Sequence, residues 1–159
     1  MIKAKVIKFG DNVDTDQIIP AQHLSMLYIK DIAEYTFQYD DNFLQNYTVG
    51  DVCVGEENFG CGSSREQAPA VLKYRGVQAV VAKSFARIFY RNCINLGLPA
   101  IECEQTDKIG NLDKIEIDMK NGIIKNITKG EEYKIKPFPD FVQNVLSAGG
   151  IAEYKLKNK

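Results

Sequence analysis

The sequence predicts one mixed α/β domain, and three observations carry that prediction. Between residues 52 and 101, short apolar runs alternate with helix-spaced segments, a β-α-β-α-β order that implies parallel strands with helices packed on them. Between 114 and 136, two alternating stretches flank Asn121-Gly122, a strong signal for a hairpin. The N-terminal stretch KAKVIKF, residues 3–9, alternates charge with hydrophobe as a first strand does.

Taken in order, that strand ends at the turn Gly10-Asp11-Asn12. Residues 12–50 are polar, aromatic-rich and poorly periodic, a long excursion with short helices expected near 23–29 and 31–36. Val52–Val54 is a short strand leading into ENFGCGSSREQ, and a helix over 64–75 follows, with Ala68, Val71 and Leu72 on one face and Gly76 as its stop. Ala79–Ala82 is wholly apolar, hence a strand covered on both faces. Residues 85–95 repeat Phe85, Ile88, Phe89 and Asn92 or Cys93 at helical spacing, Gly97 ends them, and 98–101 form another buried strand. KIEIDM and IIKNI make the hairpin, EYKIK adds a third strand, and a last helix over 139–148 stops at Gly149-Gly150, leaving a solvated, frayed tail.

The chain has 159 residues, enough for one real core, with 45% hydrophobic and 26% charged residues. Twenty basic residues face 21 acidic ones, and no basic face emerges, which disfavours nucleic acid as a partner. No apolar run approaches the roughly 20 residues that span a bilayer, so no membrane partner is expected. The N-terminus has no apolar signal segment, which points to the cytoplasm. Cys53, Cys61, Cys93 and Cys103 lie eight or more residues apart with a single histidine in the chain, so no metal site is expected from this protein alone. Reduced, mostly buried thiols are expected instead.

The segment FGCGSSREQ carries most of the chemical information. Glycines on both sides of Cys61 let the backbone bend and approach a ligand closely. Ser63 to Glu66 has capping-box spacing, and a helix start presents free N–H groups and a positive dipole end to an anion. Arg65 can grip a carboxylate with two hydrogen bonds. A serine at such a place has its alkoxide stabilised beyond what water provides. A plain capped helix after a glycine turn satisfies the same spacing. Pro69 falls in the second turn if the helix starts at Ser64, with a local distortion; the other arrangement starts the regular helix at Pro69. We favour the first. A phosphate loop is weaker, because no Lys-Ser/Thr pair follows the second glycine.

Two further segments accompany it. DNVDTDQIIPA places Asp11, Asp14 and Asp16 in an early loop, either as turn-forming Asx side chains or, without the glycine and glutamate of an EF-hand, as a poor calcium loop. AKSFAR is a strand-to-helix junction in which Ser84 serves as a cap or faces a ligand.

GDNVDTDQIIPA, FGCGSSREQAP and AKSFARIFYRNCINLGLP, in that order and spacing, resemble the swivelling domain of the aconitase superfamily. The nearest resemblance is to its free-standing form, the small subunits of 3-isopropylmalate dehydratase; it rests on motifs over residues 3–103 and on length and hairpin pattern beyond. The resemblance implies an α/β, β/β/α swivel domain over residues 1–159, with a mixed sheet, flanking helices and an added antiparallel hairpin. It implies a hydro-lyase active only with a large subunit, whose own cysteines hold a [4Fe-4S] cluster. No cofactor is then bound by this chain. By motif, Ser63 is the base that takes the proton next to the departing hydroxyl, Ser64 and Arg65 bind substrate carboxylate, and Asp16 lies at the site edge. The growing charge of an aci-carboxylate calls for cations and N–H dipoles already in place, and the iron acts as Lewis acid on the hydroxyl.

In that family a short loop motif sets substrate choice, with arginine at its third position in homoaconitase types and an apolar residue in isopropylmalate types. Here it reads His23-Leu24-Ser25-Met26. The missing arginine disfavours substrates with an extra carboxylate. Serine in place of an apolar residue, and His23 in place of the usual tyrosine, leave room for a related alkyl-malate such as dimethylmalate or citramalate. His23 also fits an ordinary hydrogen-bonding loop residue. From another class, a non-catalytic module binding carboxylate or RNA remains an alternative, with the near-neutral charge against RNA.

Overall fold

The computed structural model describes residues 1–159 and holds one seven-stranded mixed sheet. Its strands are β1 (Ile2–Lys8), β2 (Val52–Val54), β3 (Val80–Ala82), β4 (Ala100–Glu102), β5 (Lys114–Asp118), β6 (Ile123–Asn126) and β7 (Glu131–Lys134). They lie in the order β4-β3-β2-β1-β5-β6-β7. β1 is the pivot. Its second half pairs parallel with β2, Val6 opposite Val52, and its first half pairs antiparallel with β5, Ile2 opposite Ile117. The burial follows that division, since Val6 and Ile7 are both covered whereas Ile2 is covered and Lys3 exposed.

β2, β3 and β4 run parallel, as the apolar runs predict, joined by α4 (Gln67–Tyr74) and α5 (Arg87–Asn95). The hairpin β5–β6 and the third strand β7 are antiparallel and bury one face through Ile115, Ile117, Ile124 and Tyr133. One cluster of 38 buried hydrophobic residues runs through the parallel part, the wing and the excursion alike.

The excursion differs from expectation. Of the one or two short helices expected near 23–29 and 31–36, the second is met by α2 (Ile29–Ile32) and the 3₁₀ turn Ala33–Tyr35 that continues it; only a single 3₁₀ turn at Ala21–His23 stands near the first, and α1 (Thr15–Ile18) and α3 (Asp41–Asn46) were not expected. It is fixed by burial of Ile18, Ile19, Ile32, Phe37 and Phe43 rather than by helix length. Phe37 stacks on Phe9 with ring centroids 4.5 Å apart and meets Phe43 at 5.0 Å; Phe43 in turn stacks on Tyr47 at 4.5 Å. The Arg75 guanidinium lies over Phe43 at 5.4 Å and donates to the Ala33 carbonyl, tying the excursion to the end of α4.

The C-terminus departs as well. α6 (Asp140–Ala148) ends at Gly149 in the left-handed conformation, as expected, but a further helix, α7 (Ile151–Lys157), follows and takes in Lys155 and Lys157 of the tail expected to fray. Gly150 separates the two helices, whose Phe141 and Tyr154 rings meet edge to face at 5.4 Å. Lys73 of α4 donates to the carbonyls of Leu96 and Gly149, so this end of the chain docks beside α4 and α5.

Candidate functional site

The carboxyl ends of β1, β2 and β3 lie side by side, because the three strands are adjacent and parallel. Their outgoing loops therefore converge, which is where ligands bind in open α/β sheets. The loops continue the sheet by backbone bonds. Gly60 donates to Val13 at 2.7 Å, Thr15 to Cys61 at 2.8 Å, Phe59 to Ser84 at 3.0 Å and Ala86 back to Phe59 at 3.0 Å. Below them, Glu56 binds Lys8 at 2.6 Å and accepts from the Thr106 hydroxyl at 2.7 Å.

Gly60 and Gly62 explain the path around Cys61. Both have positive φ, +86° and +93°. A Cβ on Gly60 would lie 2.1 Å from the Phe89 ring, and one on Gly62 would lie 2.7 Å from the Asp14 carboxylate. The chain then bends at Gly62 and Ser63 and passes through Ser64 and Arg65 without forming a helix.

Here the expected helix start is corrected. α4 begins at Gln67, capped by Glu66 with no side-chain bond, and the Ser63–Glu66 capping box is not made. The Ser63 carbonyl accepts instead from the Thr15 hydroxyl at 3.0 Å and from the Arg65 N–H at 2.9 Å, a tight turn that keeps the segment off the helix. Pro69 falls in the first turn, where its missing N–H costs nothing, so neither the favoured distortion nor a start at Pro69 itself is found. The capping box of this region belongs to α1, where the Asp14 carboxylate accepts the Asp16 N–H and Gln17 accepts the Asp14 N–H, both at 2.6 Å. Ser84 does not cap α5, whose N-cap is Ala86; it donates to Glu57 and accepts the Asn58 N–H, each at 2.8 Å.

Ser63, Ser64 and Arg65 line a cleft of about 260 Å³ together with Thr15, Gly60, Gly62, Ala86, Arg87, Ile88, Phe89 and Asn92. No carboxylate lines it. Asp16 stands at its edge, 3.2 Å from the Arg65 guanidinium, which also donates to the Ile19 carbonyl at 3.1 Å. The Ala21 N–H and the Arg65 guanidinium hold the Asp16 carboxyl below its ordinary range, so it stays ionised. Thr15, Arg87 and Asn92 were not expected from the motifs. Arg87 was legible as part of AKSFAR, whereas Thr15 reaches Ser63 over 48 residues by a contact no local pattern signals.

Of the three aspartates of the early loop, Asp14 makes the local Asx cap, while Asp11 bridges to the loop after β2 and Asp16 reaches five residues on. Asp11 accepts the Glu57 N–H at 3.0 Å, Asp14 that of Asp16, and Asp16 that of Ala21 at 3.0 Å. No group of three His, Cys, Asp or Glu side chains is placed to hold a metal ion. His23 stacks on Tyr35 with centroids 3.8 Å apart and shares a 2.6 Å hydrogen bond with Gln38, an ordinary loop role. Leu24, Ser25 and Met26 stand outside the cleft lining, with Ser25 and Met26 exposed. Their segment is tethered to the site through Ile19 and Ala21.

All four cysteines are free. Cys53, Cys93 and Cys103 are buried, and burial pushes their thiols above the usual range; Cys61 is half-buried. No helix is long and apolar enough to cross a membrane.

A mixed sheet whose parallel strands deliver a Gly-x-Gly-Ser-Ser-Arg loop into an acid-free cleft defines the aconitase-type swivel domain, and a family model described as the aconitase C-terminal domain matches residues 30–106. The 3-isopropylmalate dehydratase small subunit of Caldicellulosiruptor bescii is 51% identical over 97% of this chain and 94% of its own, and that of Clostridioides difficile is 52% identical over 92% and 91%. The crystal structure of a 3-isopropylmalate dehydratase from Methanocaldococcus jannaschii superposes with a TM-score of 0.93 at 45% identity, covering 99% of this chain and 94% of that one. This chain belongs to the family of 3-isopropylmalate dehydratase small subunits.

Proposed function

We propose that the chain supplies the serine-bearing half of a two-protein hydro-lyase that interconverts 2- and 3-isopropylmalate in leucine synthesis. The observation that carries this reading is the cleft itself. It is cationic, free of carboxylates, and holds Ser63 on a backbone fixed by Thr15 and Arg65.

Ser63 removes the proton from the carbon next to the departing hydroxyl. It lies on the same loop as Arg65 in a cleft without carboxylates, where positive charge favours an alkoxide. Ser64 and Arg65 take a substrate carboxylate, and Arg65 is aimed by Asp16 and the Ile19 carbonyl rather than left to swing. As charge grows on the carboxylate during proton removal, donors already lining the cleft are there to meet it. A large subunit would complete the site, and the iron–sulfur cluster expected there would supply Lewis-acid chemistry toward the leaving hydroxyl, while this chain contributes Ser63, Ser64 and Arg65.

The His23–Met26 segment sets the choice among alkyl-malates through its tether to Asp16 and Arg65. Ser25 leaves more space than an apolar residue, and no arginine stands there for an extra carboxylate. The test is reconstitution with a cognate large subunit against isopropylmalate, dimethylmalate, citramalate and homoaconitate. The chain alone should be inactive, and the complex should turn over isopropylmalate with the highest kcat/KM. Preference for another acid in the panel would reassign the substrate; equal activity without the large subunit would contradict the two-protein reading.

A further inference from the structure

The cleft holds one cation that its internal contacts do not use. Arg65 is committed to Asp16 and Ile19. Arg87, the first residue of α5, lines the same cleft, is exposed, and takes part in none of the seven ion pairs of the chain. Its position is nonetheless well determined. Phe85 and Phe89 on either side are packed on Phe59, with centroids 6.1 Å and 5.6 Å away, and the Ala86 N–H is bonded to the Phe59 carbonyl. The base of the side chain is thus fixed in the cleft lining while its charge is left free.

A substrate with two carboxylates needs two such grips, because a single guanidinium forks onto only one carboxylate at a time. An unpaired arginine in a water-exposed cleft with no neighbouring acid costs little in the free protein and gains a full charge-assisted pair on binding. We propose that Arg87 is a second carboxylate-binding residue, holding the malate carboxylate that Arg65 does not, with Asn92 beside it as a neutral donor. The proposal rests on the cleft being the substrate site.

Arg87→Gln and Arg87→Lys are prepared and reconstituted with the large subunit alongside Ser63→Ala, and KM, kcat and the half-saturating concentration of this chain are measured. Arg87→Gln should raise KM for isopropylmalate by about 10–100-fold, the range of a lost charge-assisted hydrogen bond, with a smaller change in kcat. Arg87→Lys should recover part of that loss, and it stands in should the glutamine variant fail to fold. The half-saturating subunit concentration should not change. Inhibition by a dicarboxylate, succinate, should weaken, while inhibition by the monocarboxylate 2-hydroxy-4-methylpentanoate should hold. A KM change below about threefold overturns the proposal, as does a loss that appears only as weaker subunit association, which would place Arg87 on the partner. If Ser63→Ala is inactive while Arg87→Gln is normal, only Arg87 is misassigned; if neither matters, the cleft is not the substrate site.

Discussion

Asp16 and Arg65 show how single residues prepare this site before any ligand arrives. The carboxylate accepts the Ala21 N–H and the guanidinium, so it stays charged as pH falls past the ordinary 3.8. The sign follows from the depressed value: whatever the pair adds to stability is present above pH 3.8 and is lost as pH falls through the lower value of the folded state. Because Asp16 is exposed, that contribution to stability is small and its main effect is on the aim of Arg65. Carboxyl titration by NMR should find Asp16 below 3.8 in the native chain and shifted upward in Arg65→Ala, yet still depressed, because the Ala21 bond remains. An unshifted Asp16 would mean that the pair is not formed in solution.

At the level of elements, the parallel strands were legible as short apolar runs, and both crossover helices as apolar residues at helical spacing that end at Gly76 and Gly97. The α4 start was not. Ser63-x-x-Glu66 has the local spacing of a capping box, but the Ser63 carbonyl is held by Thr15 across 48 residues and by the Arg65 N–H in a tight turn, and the helix starts only at Gln67. Pro69 separates the two arrangements experimentally. In the first turn its ring restricts the unfolded chain and fills buried space, so Pro69→Ala should lower stability by about 0.4–1 kcal/mol or somewhat more. A proline in the second turn would instead disrupt the helix, and its removal would raise stability by about 3 kcal/mol. Denaturant unfolding of the two proteins decides the sign. The 12–50 excursion was illegible for a related reason. Its order comes from the Phe9, Phe37, Phe43 and Tyr47 rings and the Arg75 cation, spaced by tertiary packing and not by any helical or strand period. α7 was missed because Gly149-Gly150 marks a true stop, and nothing local in IAEYKLK distinguishes a docked helix from a frayed end.

Across the whole molecule, three motifs far apart in sequence meet because β1, β2 and β3 are neighbours and release their loops at one edge. Sequence order alone could place the motifs in a family; it could not show that Thr15 and Arg87 share the cleft with Ser63. The same packing makes the cysteines unequal. Cys53, Cys93 and Cys103 are buried with raised thiol pKa values, so a thiol reagent at neutral pH should label one group, Cys61, in the native chain and four after unfolding. Rapid labelling of two or more native thiols would show that the core opens more readily than its packing implies.

Ser63 is proposed as the base of a site that a second protein completes. The most direct measurement is the rate of 3-isopropylmalate dehydration by Ser63→Ala and wild-type chains, each saturated with the same large subunit. A loss of about 10²–10⁴-fold with unchanged subunit affinity is predicted, the usual range for removing a general base. A rate within about tenfold of wild type would contradict it.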